Sequence, residues 1–93
     1  MALEKDAVLR DLGLRIGEVR RTKGLTQEKL AERVKMHLPN YARIEQGVAN
    51  VTVGTLIRIC NALGVQPSEL FQRPKNRRVR MGRPRRADGP PQR

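Results

Sequence analysis

Apolar residues recur every three or four positions along the first quarter of the chain. They are Leu9, Leu12, Ile16 and Val19. This spacing places them on one face of a helix, and it predicts a first helix over about residues 6–22, ended by Gly24. Gly13 and Gly17 lie inside this segment, where each is expected to weaken the helix by up to ~1 kcal/mol relative to alanine.

Two shorter segments follow, separated by a tight turn at Lys35 and Met36. Thr26 is a good N-cap for a second helix over about 27–34. A third helix is predicted over about 38–45, with Pro39 tolerated in its first turn and Gly47 ending it. This layout is that of a helix-turn-helix, in which one helix supports a second that enters the DNA major groove.

The rest of the chain predicts two more helices and a tail. Thr52 caps a fourth helix over about 53–63, and Pro67 opens a short fifth helix in which Leu70 and Phe71 are expected to cover the core. Apolar periodicity ends after Arg73, so residues 74–93 are predicted to be disordered on their own. The fold class is therefore all-α: a compact five-helix domain followed by a basic tail.

Charge separates the domain from the tail. The 93 residues carry a formal net charge of +11. Residues 1–72 hold eleven Lys and Arg against eight Asp and Glu, whereas residues 73–93 hold nine against one. Such a tail favours a polyanionic partner. The chain has only two aromatic residues, Tyr41 and Phe71, which argues against recognition of single strands by base stacking.

The composition argues against several other classes of function. Cys60 is the only cysteine, so neither an internal disulfide nor a zinc site of several cysteines is possible; its position among apolar residues predicts a buried side chain. One histidine and scattered carboxylates offer no set of nucleophile, acid and base. We therefore predict no enzyme, no cofactor and no membrane span, and a cytoplasmic location.

The block Leu25-Thr26-Gln27, followed by Leu30-Ala31 and by Arg43-Ile44-Glu45-Gln46-Gly47, resembles the phage repressor and Cro family of helix-turn-helix proteins, often called XRE-type. The resemblance covers about residues 11–72 and implies a lambda-repressor-like domain that binds double-stranded DNA, preceded by an N-terminal extension of helix 1 over residues 1–10. Two positions depart from the family pattern. Lys35 stands where most members have a glycine in a left-handed conformation, and His37 replaces the usual Ser or Thr cap.

The resemblance also implies which residues contact DNA. Leu38, Pro39 and Arg43 would face the major groove, beside His37, Asn40 and Ala42, while Tyr41 and Ile44 would be core. Arg43 is suited to a bidentate contact with guanine, although a phosphate contact or a solvated charge is the alternative. Gln27 would bind a phosphate, and weaker backbone contacts are expected from Arg15, Lys35, Asn50 and Thr52. Arg20 and Glu45 correspond to a partly buried structural ion pair.

The tail carries a second motif. Gly82-Arg83-Pro84, flanked by Arg80 and Arg85, resembles the core of an AT-hook, which places arginines in the minor groove of A/T-rich DNA. Met81 stands where an arginine is usual. The alternative is a flexible arm that makes nonspecific phosphate contacts.

These features predict a homodimeric transcription regulator, most simply a repressor, with a dimer surface in the helix 4–5 region or at the N-terminal extension. Three other roles fit the same residues: a restriction–modification controller, an antitoxin, and a nucleoid-type protein that coats DNA without sequence preference.

Overall fold

Five α-helices account for the regular structure of the residues described, 2–75, in a computed structural model of the chain. The helices are α1 (Lys5–Thr22), α2 (Gln27–Arg33), α3 (Leu38–Gln46), α4 (Val53–Leu63) and α5 (Pro67–Leu70). Each of the first four helices lies within one residue of its predicted bounds at both ends, so the all-α expectation is confirmed. None of the helices in residues 2–75 is long and apolar enough to cross a lipid bilayer.

Threonine residues cap the N-termini of α2 and α4, and a residue with positive φ follows each of the first four helices. Thr26 Oγ1 accepts a hydrogen bond from the backbone N–H of Lys29, and Thr52 Oγ1 accepts one from Thr55. His37 begins α3 without a side-chain cap, as expected of a poor cap. Lys35 has a φ of 58°, so the turn between α2 and α3 keeps the left-handed conformation that the family usually gives to glycine.

The core lies between the helices and is almost entirely aliphatic. Its buried residues are Leu12, Ile16, Val19, Leu30, Ala31, Val34, Tyr41, Ile44, Ile59, Cys60, Leu63 and Leu70. The expectation that Phe71 covers the core is wrong: its side chain is 57% exposed, whereas that of Leu70 is 1% exposed. The reason is that α5 ends at Leu70, and successive helical positions point about 100° apart.

A close crossing of α1 and α3 positions the third helix. Gly13 is buried in α1, and a Cβ atom there would lie 2.4 Å from the carbonyl oxygen of Ile44 and 2.5 Å from that of Glu45. No residue larger than glycine fits without moving the backbone. Gly13 therefore allows α1 to contact the backbone near the end of α3, while α2 packs on α3 as well.

The segment after α5 packs back on α1. Arg15 Nε donates to the carbonyl oxygen of Glu69 at 2.7 Å, and the backbone N–H of Lys75 donates to Glu18 Oε2 at 2.7 Å. Pro74 is buried. The expectation of disorder from residue 74 onward is thus wrong for Pro74 and Lys75, because polar side chains of α1 bind this backbone; the rest of the predicted tail lies outside the described residues.

Candidate nucleic-acid interface

One face of α3 is exposed and the other is buried. Pro39, Asn40 and Arg43 are exposed, whereas Tyr41 and Ile44 lie in the core. Two predicted groove residues are less accessible: Ala42 is half-buried, and Leu38 is half-buried with its side chain packed against the core. The exposed residues of α3 therefore present one guanidinium, of Arg43, and two carboxamides, of Asn40 and Gln46; these are the two side-chain types that read guanine and adenine in the major groove.

A surface groove of about 380 Å³ runs between α3 and the start of α4. Asn40 and Arg43 line it from α3, and Asn50 and Thr52 line it from the connecting loop and the N-cap of α4. The structure thus brings together four of the residues predicted to contact DNA. We call this feature the α3–α4 groove; it is also lined by Met36, Ile44, Val48, Ala49, Val51 and Thr55.

A buried polar cluster joins α1, α2 and α3 directly behind this face. Arg20 Nε donates to Glu45 Oε2 at 2.6 Å, and Arg20 Nη2 donates to Oε1 at 3.2 Å. Tyr41 donates its hydroxyl hydrogen to Glu45 Oε2, and Gln27 Nε2 donates to Oε1 at 2.9 Å. The expected Arg20–Glu45 ion pair is present, and it is one part of a four-residue cluster that ties α3 to both neighbouring helices.

The cluster holds Glu45 in its charged form. Burial by itself raises the pKa of this carboxyl group, but the hydrogen bonds from Arg20, Tyr41 and Gln27 outweigh it and hold the pKa below its ordinary range. The hydrogen bond to Glu45 raises the pKa of Arg20. Burial, followed by the bond to Glu45, raises the pKa of Tyr41, so its hydroxyl remains a donor at all physiological pH values.

Gln27 has a defined orientation because of this cluster. One of the two hydrogens on Nε2 is directed to Glu45 Oε1, which leaves the second as the donor available to another acceptor. Gln27 is half-buried, so its amide is accessible from one side. Any phosphate contact of Gln27 has to use this second N–H.

The remaining predicted residues fall into three groups. Lys35, His37 and Asn50 are exposed on the α2–α3 turn and in the loop after α3. Arg15 is not part of this surface: it bonds Glu69, Gln72 and Glu18, because its position on α1 faces α5 rather than α3. Arg80, Arg83 and Arg85 lie outside the described residues.

Two contributors to the site were not predicted from the sequence. Tyr41 was expected only as a core residue, yet its hydroxyl joins the Glu45 cluster; the four-residue spacing between the two on one helix is the available signal. Thr55 lines the α3–α4 groove from the first turn of α4. Residues 2–75 contain no group of three or more His, Cys, Asp or Glu side chains arranged to hold a metal ion.

Comparison with known proteins agrees with this geometry. The helix-turn-helix family pattern matches residues 16–70. The control protein C.BamHI of Bacillus amyloliquefaciens is 37% identical over 60 residues, which are 63% of this chain and 74% of that protein. The chain is also similar to the restriction-modification controller protein C.AhdI from Aeromonas hydrophila, with a TM-score of 0.68, 35% identity, and coverage of 70% of this chain and 98% of the other.

A further solved structure, the clp gene regulator ClgR from Corynebacterium glutamicum, superposes with a TM-score of 0.67 at 26% identity over 69% of this chain and 82% of ClgR. By name, one of these relatives is a control protein, one a restriction-modification controller protein and one a gene regulator. The family match covers more than half of the chain. The chain therefore belongs to the XRE-type helix-turn-helix family of DNA-binding transcription regulators.

Proposed function

We propose that the chain is a sequence-specific regulator of the restriction–modification controller type, which binds double-stranded DNA as a homodimer and represses transcription by occupying its site. The observation that carries the proposal is the exposed face of α3 beside the α3–α4 groove, where Asn40, Arg43 and Asn50 come together. Similarity to C.BamHI and C.AhdI, both named as controllers, favours this role over that of an antitoxin.

Direct base recognition in this proposal rests on few groups. Arg43 donates hydrogen bonds to O6 and N7 of a guanine, and Asn40 binds a neighbouring base directly or through a water molecule. Pro39 offers apolar contact to a thymine methyl group. Because these groups define only a few base pairs, the shape and flexibility of the DNA contribute part of the specificity.

Two copies on a pseudo-palindrome would double the recognised sequence, with the two third helices about one helical turn (~34 Å) apart. The surface proposed for dimerisation combines the two regions expected from the sequence, the N-terminal extension and the helix 4–5 region. Leu3, which is 86% exposed, and Phe71, which is 57% exposed, line a groove of about 250 Å³ together with Val8 and Leu70. Exposed apolar side chains around a groove are typical of a protein–protein contact.

The tail is proposed to add backbone or minor-groove contacts. The domain holds the chain through Lys75, so a deletion that tests the tail begins at residue 76. If roughly five tail charges meet phosphates, the deletion reduces the dependence of log K on log salt concentration by about 4 to 5. An unchanged slope would remove the tail from the proposal.

Selection of bound sequences from a random duplex pool tests the proposal directly. A regulator enriches one two-fold symmetric sequence, and sedimentation with that duplex gives two chains per site. A protein that only coats DNA enriches no defined sequence, although it can enrich A/T-rich duplexes. That result would contradict the proposed regulator and support the nucleoid-type alternative. Transcription from a promoter that contains the enriched sequence then falls as the protein is added, if the regulatory effect is repression.

A further inference from the structure

A smaller cleft of about 170 Å³ lies where α1, α2 and α3 meet. We call it the Arg21 cleft, after the one exposed cation that lines it; its other polar walls are Gln27, Glu45 and Gln46. It opens beside Gln27 at the start of α2 and Gln46 at the end of α3. The cleft therefore borders the proposed DNA-binding surface.

Gly17 determines where the Arg21 side chain lies. A Cβ atom built on Gly17 would be 3.2 Å from Arg21 Nη1 and 3.1 Å from Glu45 Oε1. The guanidinium thus lies across the surface of α1 at Gly17, next to the carboxylate that binds Gln27. Any larger side chain at position 17 displaces one of the two groups.

The charges of this region do not cancel. Glu45 is matched by Arg20, which bonds both carboxylate oxygens. Within residues 2–75, Arg21 makes no ion pair of its own, and its side chain is exposed. The Glu45 carboxylate is therefore taken by Arg20, and the guanidinium of Arg21 at the mouth of the cleft is the positive charge that this carboxylate does not pair.

We propose that Arg21 binds a backbone phosphate of the DNA in this cleft, together with the second Nε2 hydrogen of Gln27. The inference rests on the proposed function, and it assigns a contact that the helix-turn-helix pattern alone does not indicate. Arginine presents several N–H groups in a planar fork that matches phosphate oxygens. The contact positions the protein and carries no sequence preference, because it is made to the backbone.

Arg21→Gln measures the contact. The probes are the duplex enriched by the wild-type chain and a random duplex of the same length. Losing one phosphate contact per chain lowers the salt slope by about 0.9, and weakens binding about eightfold at 0.1 M salt, for each chain bound, on both duplexes alike. Arg58→Gln is the matched control: it removes the same charge from an exposed position on α4 that lines neither this cleft, nor the α3–α4 groove, nor the groove proposed for dimerisation.

Gly17→Ala separates the position of the guanidinium from its charge. It keeps the net charge, yet we expect it to weaken binding because the new Cβ atom would lie 3.2 Å from Arg21 Nη1 and 3.1 Å from Glu45 Oε1, so these side chains have to shift by a few tenths of an ångström. In the Arg21→Gln background the same substitution should cause little further loss, since the two changes act on one contact. Circular dichroism of each variant verifies that the domain remains folded at the assay temperature.

Each result decides the question. If Arg21→Gln and Arg58→Gln weaken binding equally, Arg21 acts only through net charge and the assigned contact is wrong. If Arg21→Gln affects the enriched duplex but not the random one, Arg21 reads a base instead. If the wild-type chain enriches no sequence at all, the proposed function fails, and the random duplex alone still decides the contact: a greater loss of binding in Arg21→Gln than in the control supports it, and an equal loss overturns it.

Discussion

Substitution of Gly13 by alanine tests the close crossing of α1 and α3. The new Cβ atom would lie 2.4 Å from the Ile44 carbonyl oxygen and 2.5 Å from that of Glu45. Ordinary van der Waals contact begins at 3.4 Å, so the two backbones have to separate by roughly 1 Å. Neither obstacle is a flexible side chain, so the cost cannot be avoided by a change of rotamer.

The expected magnitude follows from two opposing effects. Overpacking in a well-packed core costs about 1–3 kcal/mol, and two backbone oxygens place this site at the upper end. Alanine regains up to ~1 kcal/mol because it favours the helix more than glycine does. We therefore expect Gly13→Ala to lower the free energy of unfolding by about 2 kcal/mol, although helix propensity alone predicts an increase.

Urea unfolding followed by circular dichroism measures this difference, with Gly54→Ala as the control. Gly54 also lies in a helix, but the nearest atom to a Cβ there is Thr52 Oγ1 at 3.9 Å. Gly54→Ala should leave stability unchanged or raise it by up to ~1 kcal/mol. If Gly13→Ala proves as stable as Gly54→Ala, the crossing is not as tight as described and α3 is not held by it.

Three further outcomes are expected. Lys35→Gly should raise the free energy of unfolding by roughly 0.5 kcal/mol, because Lys35 has a φ of 58° and glycine adopts this conformation without strain. Part of the gain is lost because glycine makes the unfolded chain more flexible. A lower urea midpoint would contradict this expectation. The pKa of Glu45 is held below its ordinary range, so its stabilisation is present above the unfolded-state value of about 4.3 and is lost as the pH falls through the lower folded-state pKa. Below about pH 4, stability should then fall less steeply in Glu45→Gln than in the wild-type chain, and parallel curves would refute the assignment. Arg15→Ala should cost about 1–2 kcal/mol through the lost bond to the Glu69 carbonyl without changing the salt slope of DNA binding; a slope lower by about 0.9 would place Arg15 on the DNA after all.

The helices could be predicted closely because their ends are marked locally. Thr26 and Thr52 cap helices by bonds to residues three positions away, and Gly47 adopts the left-handed conformation that ends α3. Such signals depend on neighbouring residues only. The exposed face of α3 was predictable for the same reason, since helical periodicity separates Asn40 and Arg43 from the buried Tyr41.

What could not be predicted depends on packing between distant segments. Gly13 and Gly17 read as weak points of a helix, and only the approach of α3 shows why glycine is needed at Gly13. Arg15 resembles a free cation in the sequence, but its partner Glu69 lies 54 residues away. Pro74 is buried for a similar reason, because the segment after α5 packs back on α1. None of these contacts can be recognised from a pattern among neighbouring residues in the sequence.

The central claim is that the exposed face of α3 reads base pairs. The base preferences of Arg43→Ala test this claim most directly. Arg43 is exposed on α3 and lines the α3–α4 groove. Selection from a random duplex pool with this variant should lose preference at one base pair in each half-site and retain it elsewhere. Equal weakening on every sequence, with all preferences intact, would show that Arg43 touches only the backbone and would contradict the assignment of this face to base recognition.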